Sequence, residues 1–392
     1  MYRILLKKGI TKGSLSLKFS NGEEERFGTG QPQVTWLLKS RNTIRRIARN
    51  WEYQLGETYI NGEWSVENGE VFDLLCLLRI NFRLPKTAWS ARFSALLLKL
   101  QQGSNSIGLS HANISHYYDL DATLFSCFLD KEMHYSCAYY EKADAGLDEA
   151  QRAKCAHICS KLALSPGQTV LDIGSGWGSM AVYMARHYDV RVVGLTLSKE
   201  QFSIANKRVK MAGLDHLIEF NLEDYRLHAG RYDRIVSIGM FEHVGRRNFY
   251  KYFKMIDKNL TEQGIALVHT IGRTGFPRRT NRWIRKYIFP GGYLPSLSEV
   301  SRALEKTNLG TTDVEVLRRH YEMTVKDWRK KFLDSRQTFV DSKGETFTRV
   351  WEFYLNICEA AFRHTDISVF QVQMAKNDDV LPITRDYLVL PT

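Results

Sequence analysis

From about residue 116 onward, the apolar and polar positions of this chain alternate between two periods. Short, nearly continuous apolar runs predict strands, and the segments between them, in which apolar residues recur every three or four positions, predict helices. The predicted strands are 169–173, 190–195, 217–221, 232–238, 264–271, 311–318 and 367–375. The predicted helices are 146–163, 177–188, 198–212 and 246–260. This rhythm indicates an α/β fold with a mostly parallel, doubly wound sheet.

The first 90 residues have a different pattern, which predicts a small α+β unit. Ser14 to Phe19 alternates as a strand does, and Asn21-Gly22 is a hairpin turn signal. The later elements predicted here are an arginine-rich amphipathic helix at 43–53, a short strand at 59–64 and an apolar helix at 72–83.

Breaks in these patterns divide the chain. We predict an N-terminal lipid-binding or accessory domain at 1–90, a polar linker at 91–115 and a larger domain at 116–392 that carries the chemistry. Within the larger domain, 273–295 and 324–364 exceed ordinary connections between elements. Insertions of this kind usually build a substrate pocket over the carboxyl ends of the strands.

The composition is that of a soluble globular protein, with 44% hydrophobic and 25% charged residues among 392. No run of 18 apolar residues is present, and the first residues lack the apolar segment of a signal peptide. The six cysteines are scattered without the paired spacing of a zinc site, which favours reduced thiols in a cytoplasm. A formal net charge of +12, from 55 basic and 43 acidic residues, suits an anionic partner.

Two groups of basic residues are candidates for contact with that partner. One lies within 41–49, and the other, within 273–286, is interleaved with the aromatic residues Phe276 and Trp283. Basic and aromatic residues together are typical of a lipid interface. They would also suit RNA bases, on which aromatic rings stack, and a plain solvated basic face is a third interpretation.

A glycine-rich segment after the strand predicted at 169–173 gives the strongest indication of chemistry. Residues 170–178 read Val-Leu-Asp-Ile-Gly-Ser-Gly-Trp-Gly and lead into an amphipathic helix, whose first N–H groups are free to bind a ligand. A dinucleotide site would have Gly-x-Gly-x-x-Gly and an acidic residue at the end of the next strand, and this chain has neither. The compact form resembles the S-adenosylmethionine (SAM) loop of class I methyltransferases, although a glycine turn without a ligand remains an alternative.

Further segments, taken with the glycine loop, resemble the cyclopropane-fatty-acyl-phospholipid synthase family, which includes the mycolic acid cyclopropane synthases. The segments are HYSCAY at 134–139, GLTLSKEQ at 194–201, SIGMFEHVG at 237–245, LVHTIG at 267–272, IFPGGYLPS at 288–296 and His320-Tyr321. The resemblance covers about 110–375 and implies a class I methyltransferase domain with a mostly parallel seven-stranded sheet. The first 90 residues resemble the amino-terminal domain of the family's phospholipid-acting bacterial enzymes.

The resemblance implies an enzyme that transfers a methylene unit from SAM to the cis double bond of a phospholipid acyl chain. In the family a carbocation forms, loses a proton to a bound bicarbonate and closes to a cyclopropane. An isolated alkene is a weak nucleophile, so such an enzyme must position the sulfonium methyl group and exclude water from the cation. Aromatic faces stabilise a cation without attacking it. The candidates are Tyr139, Tyr321, Phe241 and Trp283, of which Phe241 and Trp283 suit an ordinary core role at least as well.

The residues that match the family's bicarbonate site are Cys137, Glu242, His269, Tyr321 and the amide of Ile271. The resemblance implies that the thiol, hydroxyl, imidazole and amide donate hydrogen bonds to the anion, while Glu242 orients it and relays the proton. Glu242 and His269 follow or end predicted strands, whose carboxyl ends meet in one crevice. Two alternatives remain. One is a zinc site of Cys, Glu and His, although we predict that no metal is bound. The other is a buried hydrogen-bonded pair of His269 and Glu242.

The residues that match the family's SAM site are Tyr135, Ser136, Gly174, Gly176, Thr196 and Gln201. Asp172 is expected either to fix the glycine loop or to reach the amino-acid end of SAM. Glu223 and Asp224 follow the strand predicted at 217–221, where methyltransferases usually contact adenine, although a solvated turn is an equal alternative. SAM and bicarbonate are therefore the expected cofactors.

We therefore expect a peripheral protein at the inner face of the cell membrane. The resemblance also implies a homodimer. The protein would bind anionic lipids through its basic surface and no nucleic acid. An alternative with the same fold is methyl transfer that leaves a methyl branch without ring closure. Two alternatives of other classes are an RNA-binding methyltransferase, which only the charge suggests, and a catalytically silent lipid-binding scaffold. The intact bicarbonate positions, Cys137 to Tyr321, favour ring closure, and the intact SAM and bicarbonate positions argue against the scaffold.

Overall fold

The structure, a computed structural model, describes residues 2–82 and 122–388, which form two compact units. Unit 1 combines the described part of the first 92 residues with Thr280–Pro290 and Val325–Ile367. Unit 2 contains the other described residues. We predicted that Thr280–Pro290 and Val325–Ile367 belong to the larger domain, whereas the structure groups them with unit 1. The linker predicted at 91–115 lies outside the described residues.

The described residues form α-helices and two β-sheets. The helices are α1 Tyr2–Gly9, α2 Arg41–Arg49, α3 Trp51–Ile60, α4 Val71–Asn81, α5 Ala122–Phe128, α6 Leu147–Lys161, α7 Ser179–Tyr188, α8 Lys199–Ala212, α9 Phe249–Asn259, α10 Arg282–Tyr287, α11 Leu297–Leu304, α12 His320–Asp334, α13 Arg336–Lys343 and α14 Glu345–His364. The strands are β1 Gly13–Phe19, β2 Glu24–Thr29, β3 Gln33–Leu38, β4 Trp64–Glu67, β5 Thr169–Ile173, β6 Arg191–Thr196, β7 Ile218–Leu222, β8 Tyr232–Ile238, β9 Leu260–Arg273, β10 Gly310–Val316 and β11 Ile367–Ala375. None of these helices is both long and apolar enough for a membrane span.

Unit 2 is built on a seven-stranded sheet with the order β10-β11-β9-β8-β5-β6-β7. The five strands from β9 to β7 in this order are parallel, and β10 pairs with β11 antiparallel. One face packs against α9 and α11 through Phe253 and Val300, and the other packs against α6 and α8 through Ile158 and Val209. This arrangement confirms the predicted mostly parallel, doubly wound sheet.

Unit 1 contains a four-stranded sheet with the order β2-β1-β3-β4, in which β1 is antiparallel to β2 and parallel to β3. Helices α3 and α4 pack against α14. Trp283 of α10 is fully buried against Phe353 of α14, with ring centroids 4.8 Å apart. Gly56 of α3 makes room for the indole, because a Cβ there would lie 2.4 Å from its Nε1. Trp283 therefore has the core role that the sequence left open.

Two elements of unit 1 differ from the sequence-based prediction. The helix predicted at 43–53 is two helices that meet at Asn50, whose φ of −150° is not helical. The strand predicted at 59–64 is wrong, because α3 continues to Ile60 and ends at Asn61, with Gly62 at a φ of +64°. The Asn-Gly pair thus terminates a helix, and the strand begins only at Trp64.

Candidate active site

The carboxyl ends of the parallel strands of unit 2 carry most of the predicted site residues. Asp172 lies near the end of β5, Thr196 ends β6 and Glu223 follows β7. Glu242 lies in a short 3-10 turn, Phe241–His243, after β8, and His269 lies in the last third of β9. Since these strands are parallel neighbours, their carboxyl ends lie along one edge of the sheet, where doubly wound proteins bind ligands.

The glycine loop after β5 has the backbone geometry that its sequence predicts. Gly174, Gly176 and Gly178 have φ values of 85°, 56° and 81°. The N–H of Gly174 donates to Leu195 O at 2.9 Å and so fastens the loop to β6. A Cβ on Gly176 would meet no atom within 4 Å, whereas one on Gly178 would lie 2.7 Å from the ring of Phe220. Gly176 therefore borders open space in which a ligand can approach the backbone.

Asp172 precedes this loop and is 2% exposed. Its Oδ2 has no hydrogen-bond partner among the described residues. Burial raises the pKa of Asp172 to about 7, and the ammonium of Lys154 opposes part of that rise. A buried carboxyl oxygen without a partner is costly unless a ligand or water satisfies it.

Asp172→Asn is expected to stabilise the ligand-free protein at alkaline pH. An acid with a pKa of about 7 in the folded chain and an ordinary value of 3.8 binds a proton on folding, so its contribution to the free energy of unfolding falls as pH rises through this window. At about 1.4 kcal/mol per pKa unit, the ionised form costs up to about 4 kcal/mol above pH 7. Thermal melts should show a higher Tm for the variant at pH 8 and a smaller difference at pH 5. A lower Tm at both values would contradict this account.

The remaining predicted SAM positions are already well ordered. Thr196 Oγ1 donates to Gln201 Oε1 at 3.0 Å, and both side chains are buried. The ring of Tyr135 packs edge-on against Phe125, with centroids 5.2 Å apart. Ser136 Oγ accepts a hydrogen bond from Lys154 Nζ at 3.3 Å. These contacts fix the positions of the side chains before any ligand binds.

The two acidic residues after β7 have partners of their own. Asp224 is 3% exposed and accepts a hydrogen bond from Arg226 Nε at 2.8 Å, so it does not lie on a solvated turn. Glu223 Oε2 lies 2.8 Å from His228 Nδ1. Contact of Glu223 or Asp224 with adenine stays a prediction.

Glu242 is the central group of the predicted anion site. It is 7% exposed, and its Oε1 accepts a hydrogen bond from the Ile271 N–H at 2.6 Å. Its Oε2 has no hydrogen-bond partner among the described residues. Burial raises the pKa of Glu242 to about 7, and the Ile271 amide opposes part of that rise. The structure thus gives the Ile271 amide to Glu242, whereas we predicted that it donates to the anion.

His269 is held as a neutral imidazole. Its Nδ1 lies 3.2 Å from Gln371 Nε2, so with this amide as donor the ring proton resides on Nε2. Burial, with a smaller contribution from the ammonium of Lys154, lowers the pKa of His269 to about 3. His269 and Glu242 have separate partners and form no hydrogen bond with each other, so the alternative of a buried pair is not observed.

Two hydrogen bonds connect the segment around Cys137 to the start of α12, which carries Tyr321. The Ala138 N–H donates to Thr324 Oγ1 at 3.0 Å, and the Tyr140 N–H donates to His320 Nδ1 at 2.9 Å. Cys137 and Tyr321 are both buried. Burial raises the pKa of the Cys137 thiol well above its ordinary value, so the thiol is protonated. It donates to Ala138 O at 3.3 Å, whereas we predicted that it donates to the anion.

Two of the candidate aromatic residues of unit 2, Tyr139 and Phe241, have other roles than a free face for a cation. Tyr139 is stacked between His157 and His320, with centroid distances of 4.3 and 4.7 Å. Phe241 lies in the core against Phe249, with ring centroids 4.4 Å apart.

The described residues contain no group of three or more His, Cys, Asp or Glu side chains that could hold a metal ion.

Sequence reasoning missed the residues that support this site. Lys154, Gln371, His320 and Thr324 each contact a predicted site residue or its neighbour. A signal for one of them was present, because Gln371 and Gln373 alternate within an apolar strand.

Comparison with known proteins assigns the chain to a family. A family model described as mycolic acid cyclopropane synthetase matches residues 108–372. The chain belongs to this family. It is 39% identical over 344 residues to the cyclopropane-fatty-acyl-phospholipid synthase of Escherichia coli (strain K12), which covers 86% of this chain and 87% of that protein. It is 33% identical over 384 residues to tuberculostearic acid methyltransferase UfaA1 of Mycobacterium tuberculosis (strain ATCC 25618 / H37Rv), which covers 94% of this chain and 89% of that protein.

A solved structure extends the likeness to the fold. Mycolic acid cyclopropane synthase CmaA1, complexed with SAH and CTAB, has a TM-score of 0.64 and 34% identity to this chain, over 67% of this chain and 97% of that one. The predicted family, class I methyltransferase fold and enzyme class are confirmed. The chain is a SAM-dependent enzyme that cyclopropanates or methylates fatty acyl chains.

The residues at the sheet edge fit SAM. Gly176 borders open space beside the loop backbone, and the unpartnered Asp172 Oδ2 is available to a polar group. Thr196 and Gln201 hold each other in place at the end of the next strand. An α-amino group, an adenosine and a sulfonium require this mixture of open backbone, a carboxyl and amide or hydroxyl groups.

Proposed function

We propose that this enzyme acts on unsaturated acyl chains of membrane phospholipids and closes a cyclopropane ring across the cis double bond. The observation that carries ring closure is the buried carboxyl of Glu242, with one oxygen held by Ile271 and the other without a partner. After a methyl group adds to the alkene, ring closure requires that a proton leave the new methyl group inside a buried, water-poor site, so a proton acceptor must lie there. The name of the relative at 39% identity supports the phospholipid substrate. The name of UfaA1 supports the alternative of a methyl branch.

SAM, when bound, supplies an electrophilic methyl group. The chain would contribute its position: the loop from Gly174 to Gly178, fastened to β6, and the pair of Thr196 and Gln201 would hold the cofactor. Proximity and orientation of this kind account for much of the acceleration available to a weak nucleophile such as an alkene. Burial of Cys137, Glu242 and His269 excludes water, which would otherwise capture the cation.

A bicarbonate ion would accept the proton that ring closure releases. The proposed donors to it are the Nε2–H of His269, the hydroxyl of Tyr321 and the thiol of Cys137, which would have to leave its present acceptor, Ala138 O. A pKa of about 7 lets Glu242 hold or release a proton near neutral pH, which suits a proton relay. The unpartnered Oε2 is the atom of Glu242 available to the anion.

The proposed substrate and anion are tested together with purified protein, methyl-labelled SAM and vesicles of monounsaturated phospholipid. We expect label in the acyl chains, loss of activity in buffer depleted of bicarbonate, and recovery when bicarbonate is restored. Label in added RNA instead of lipid would support the RNA-binding methyltransferase. Unchanged activity after depletion would remove bicarbonate from the proposal, while the lipid substrate would stand.

We further propose that the enzyme is a homodimer that binds the inner face of the cell membrane through anionic lipids. Two arginines of α2 have acidic partners: Arg41 pairs with Glu23 at 2.6 Å, and Arg46 pairs with Glu63 at 2.8 Å. Arg45, on the same helix, is exposed. The second basic group is partly used within unit 1, where Lys286 Nζ donates to Tyr53 Oη at 2.7 Å. The exposed side of α2 is therefore the better candidate for lipid contact.

Reversing the exposed charges of α2 in the double variant Arg45→Glu, Arg49→Glu should weaken binding to anionic vesicles at least tenfold. Each basic residue near an anionic surface contributes about 1 kcal/mol, and reversal replaces attraction with repulsion. Vesicle sedimentation measures the effect. The control Lys207→Glu, Lys210→Glu makes the same change in net charge at exposed positions of α8. Equal weakening in both variants would mean that only overall charge matters.

A further inference from the structure

Lys154 is a buried cation that the mechanism above does not use. It lies on α6, is 1% exposed, and donates one hydrogen bond, to Ser136 Oγ at 3.3 Å. No carboxylate of the described residues forms an ion pair with it. Lys161, seven residues later on the same helix, is buried as completely but pairs with Asp313 at 3.2 Å and with Glu315 at 2.6 Å. A buried ammonium without a counter-ion is costly, so its retention calls for an anion.

The charge of Lys154 acts on three residues of the candidate active site. Burial is the largest cause of the pKa shifts of Asp172, Cys137 and His269, and in each case the Lys154 ammonium is the second, lowering the pKa. Asp130 also lies within reach of this charge, but its two oxygens already accept from the backbone and ring of His134 at 2.7 and 2.9 Å. Asp172 Oδ2 is unpartnered and lies within the electrostatic reach of Lys154, but no carboxylate of the described residues forms an ion pair with this ammonium.

We propose that Lys154 is the counter-ion of the α-carboxylate at the methionine end of SAM. Among the described residues, the hydrogen-bond partner of Lys154 is Ser136, a predicted SAM position. The carboxyl of Asp172, which lies within the electrostatic reach of Lys154, adjoins the glycine loop. Two of the three ammonium donors remain for a ligand. A carboxylate beside Lys154 and an α-amino group beside Asp172 would pair both charges of the amino-acid end with a buried group of opposite sign.

Binding of SAM and of decarboxylated SAM, which lacks only this carboxylate, tests the proposal by calorimetry without lipid or turnover. We expect the full-length wild type to bind SAM about 10- to 100-fold more tightly than decarboxylated SAM, in keeping with a charge-assisted hydrogen bond. Lys154→Met should bind both compounds with similar affinity. It should also be more stable than the wild type without ligand, because an uncompensated buried charge is gone. Because no lipid product is measured, failure here is distinct from failure of the proposed function.

Two further variants keep the test decisive. Lys161→Met removes an equally buried lysine of the same helix that already has acidic partners, and it should preserve the preference for SAM. Lys154→Gln keeps an N–H donor for Ser136 without the charge and replaces the methionine variant should that fail to fold. The proposal is overturned if Lys154 variants keep the wild-type preference for SAM. It is also overturned if they change only the bicarbonate requirement of the reaction, since the anion would then be bicarbonate.

Discussion

Glu242→Gln is expected to lower turnover about 10²- to 10⁴-fold, the usual contribution of a positioned proton-transfer group, while SAM affinity changes by no more than about threefold. The change removes the group that can take a proton but preserves the shape of the side chain and the Ile271 hydrogen bond. Glu242 follows β8, whereas the glycine loop follows β5, so cofactor binding should be nearly unaffected. Single-turnover product formation on vesicles and calorimetric SAM binding separate the two effects.

The pH profile adds an independent readout for Glu242. Burial raises the pKa of Glu242 to about 7, so at a fixed bicarbonate concentration the activity of the wild type should rise with pH through this value. Glu242→Gln should lose that rise. Glu359→Gln is a matched control, because Glu359 is buried and bonded to Arg329 at 2.6 Å in unit 1, and this variant should lose stability more than turnover. Wild-type turnover in Glu242→Gln would remove the residue from the mechanism.

Gly176→Leu is expected to weaken SAM binding at least about 100-fold, because the new side chain would occupy the open space beside the loop backbone. The fold should survive, since a Cβ at this position meets no protein atom within 4 Å. The φ of 56° adds a cost of about 1–2 kcal/mol for a residue with a Cβ, which lowers Tm by a few degrees. Calorimetry with SAM and thermal melts of the ligand-free protein measure both quantities.

Gly213→Leu is the matched control for this strain. Gly213 caps α8 with a φ of 67° and also has open space around a Cβ, but it lies at the end of a helix away from the carboxyl edge of the sheet. Its variant should show a similar fall in Tm with unchanged SAM affinity. Equal SAM affinity in the Gly176 variant and the wild type would mean that the cofactor does not approach the loop backbone at this point.

Local periodicity explains why much of the sheet of unit 2 could be predicted from the sequence. Strands such as β5 and β8 are buried on both faces, so each contains a short apolar stretch, Val170-Leu171 or Ile235-Val236, between helices of clear period. The division into units was not predictable in this way. Trp283 and Phe353 are apolar residues in long insertions, and only the folded chain shows that they pack with α3 of unit 1.

The candidate site was predictable where strand ends and motifs coincide. Glu242 and His269 could be expected at one sheet edge because parallel strands align their carboxyl ends. The hydrogen bonds that orient the site could not, because they join residues far apart in sequence, such as Tyr140 and His320 or His269 and Gln371. The burial of Lys154 without an acidic partner is a property of tertiary packing and has no signature in a single sequence.

Ring closure on a phospholipid acyl chain is tested most directly with SAM whose methyl group carries three deuterium atoms, incubated with the purified protein and vesicles of monounsaturated phosphatidylglycerol. Mass spectrometry and NMR of the released fatty acids then give the product. The account predicts a chain that has lost its double bond and gained a cyclopropane carbon with two deuterium atoms, because the third leaves as the abstracted proton. A methyl-branched chain that still contains a double bond, with no ring, would contradict it, because the cation would then have lost a proton without closing.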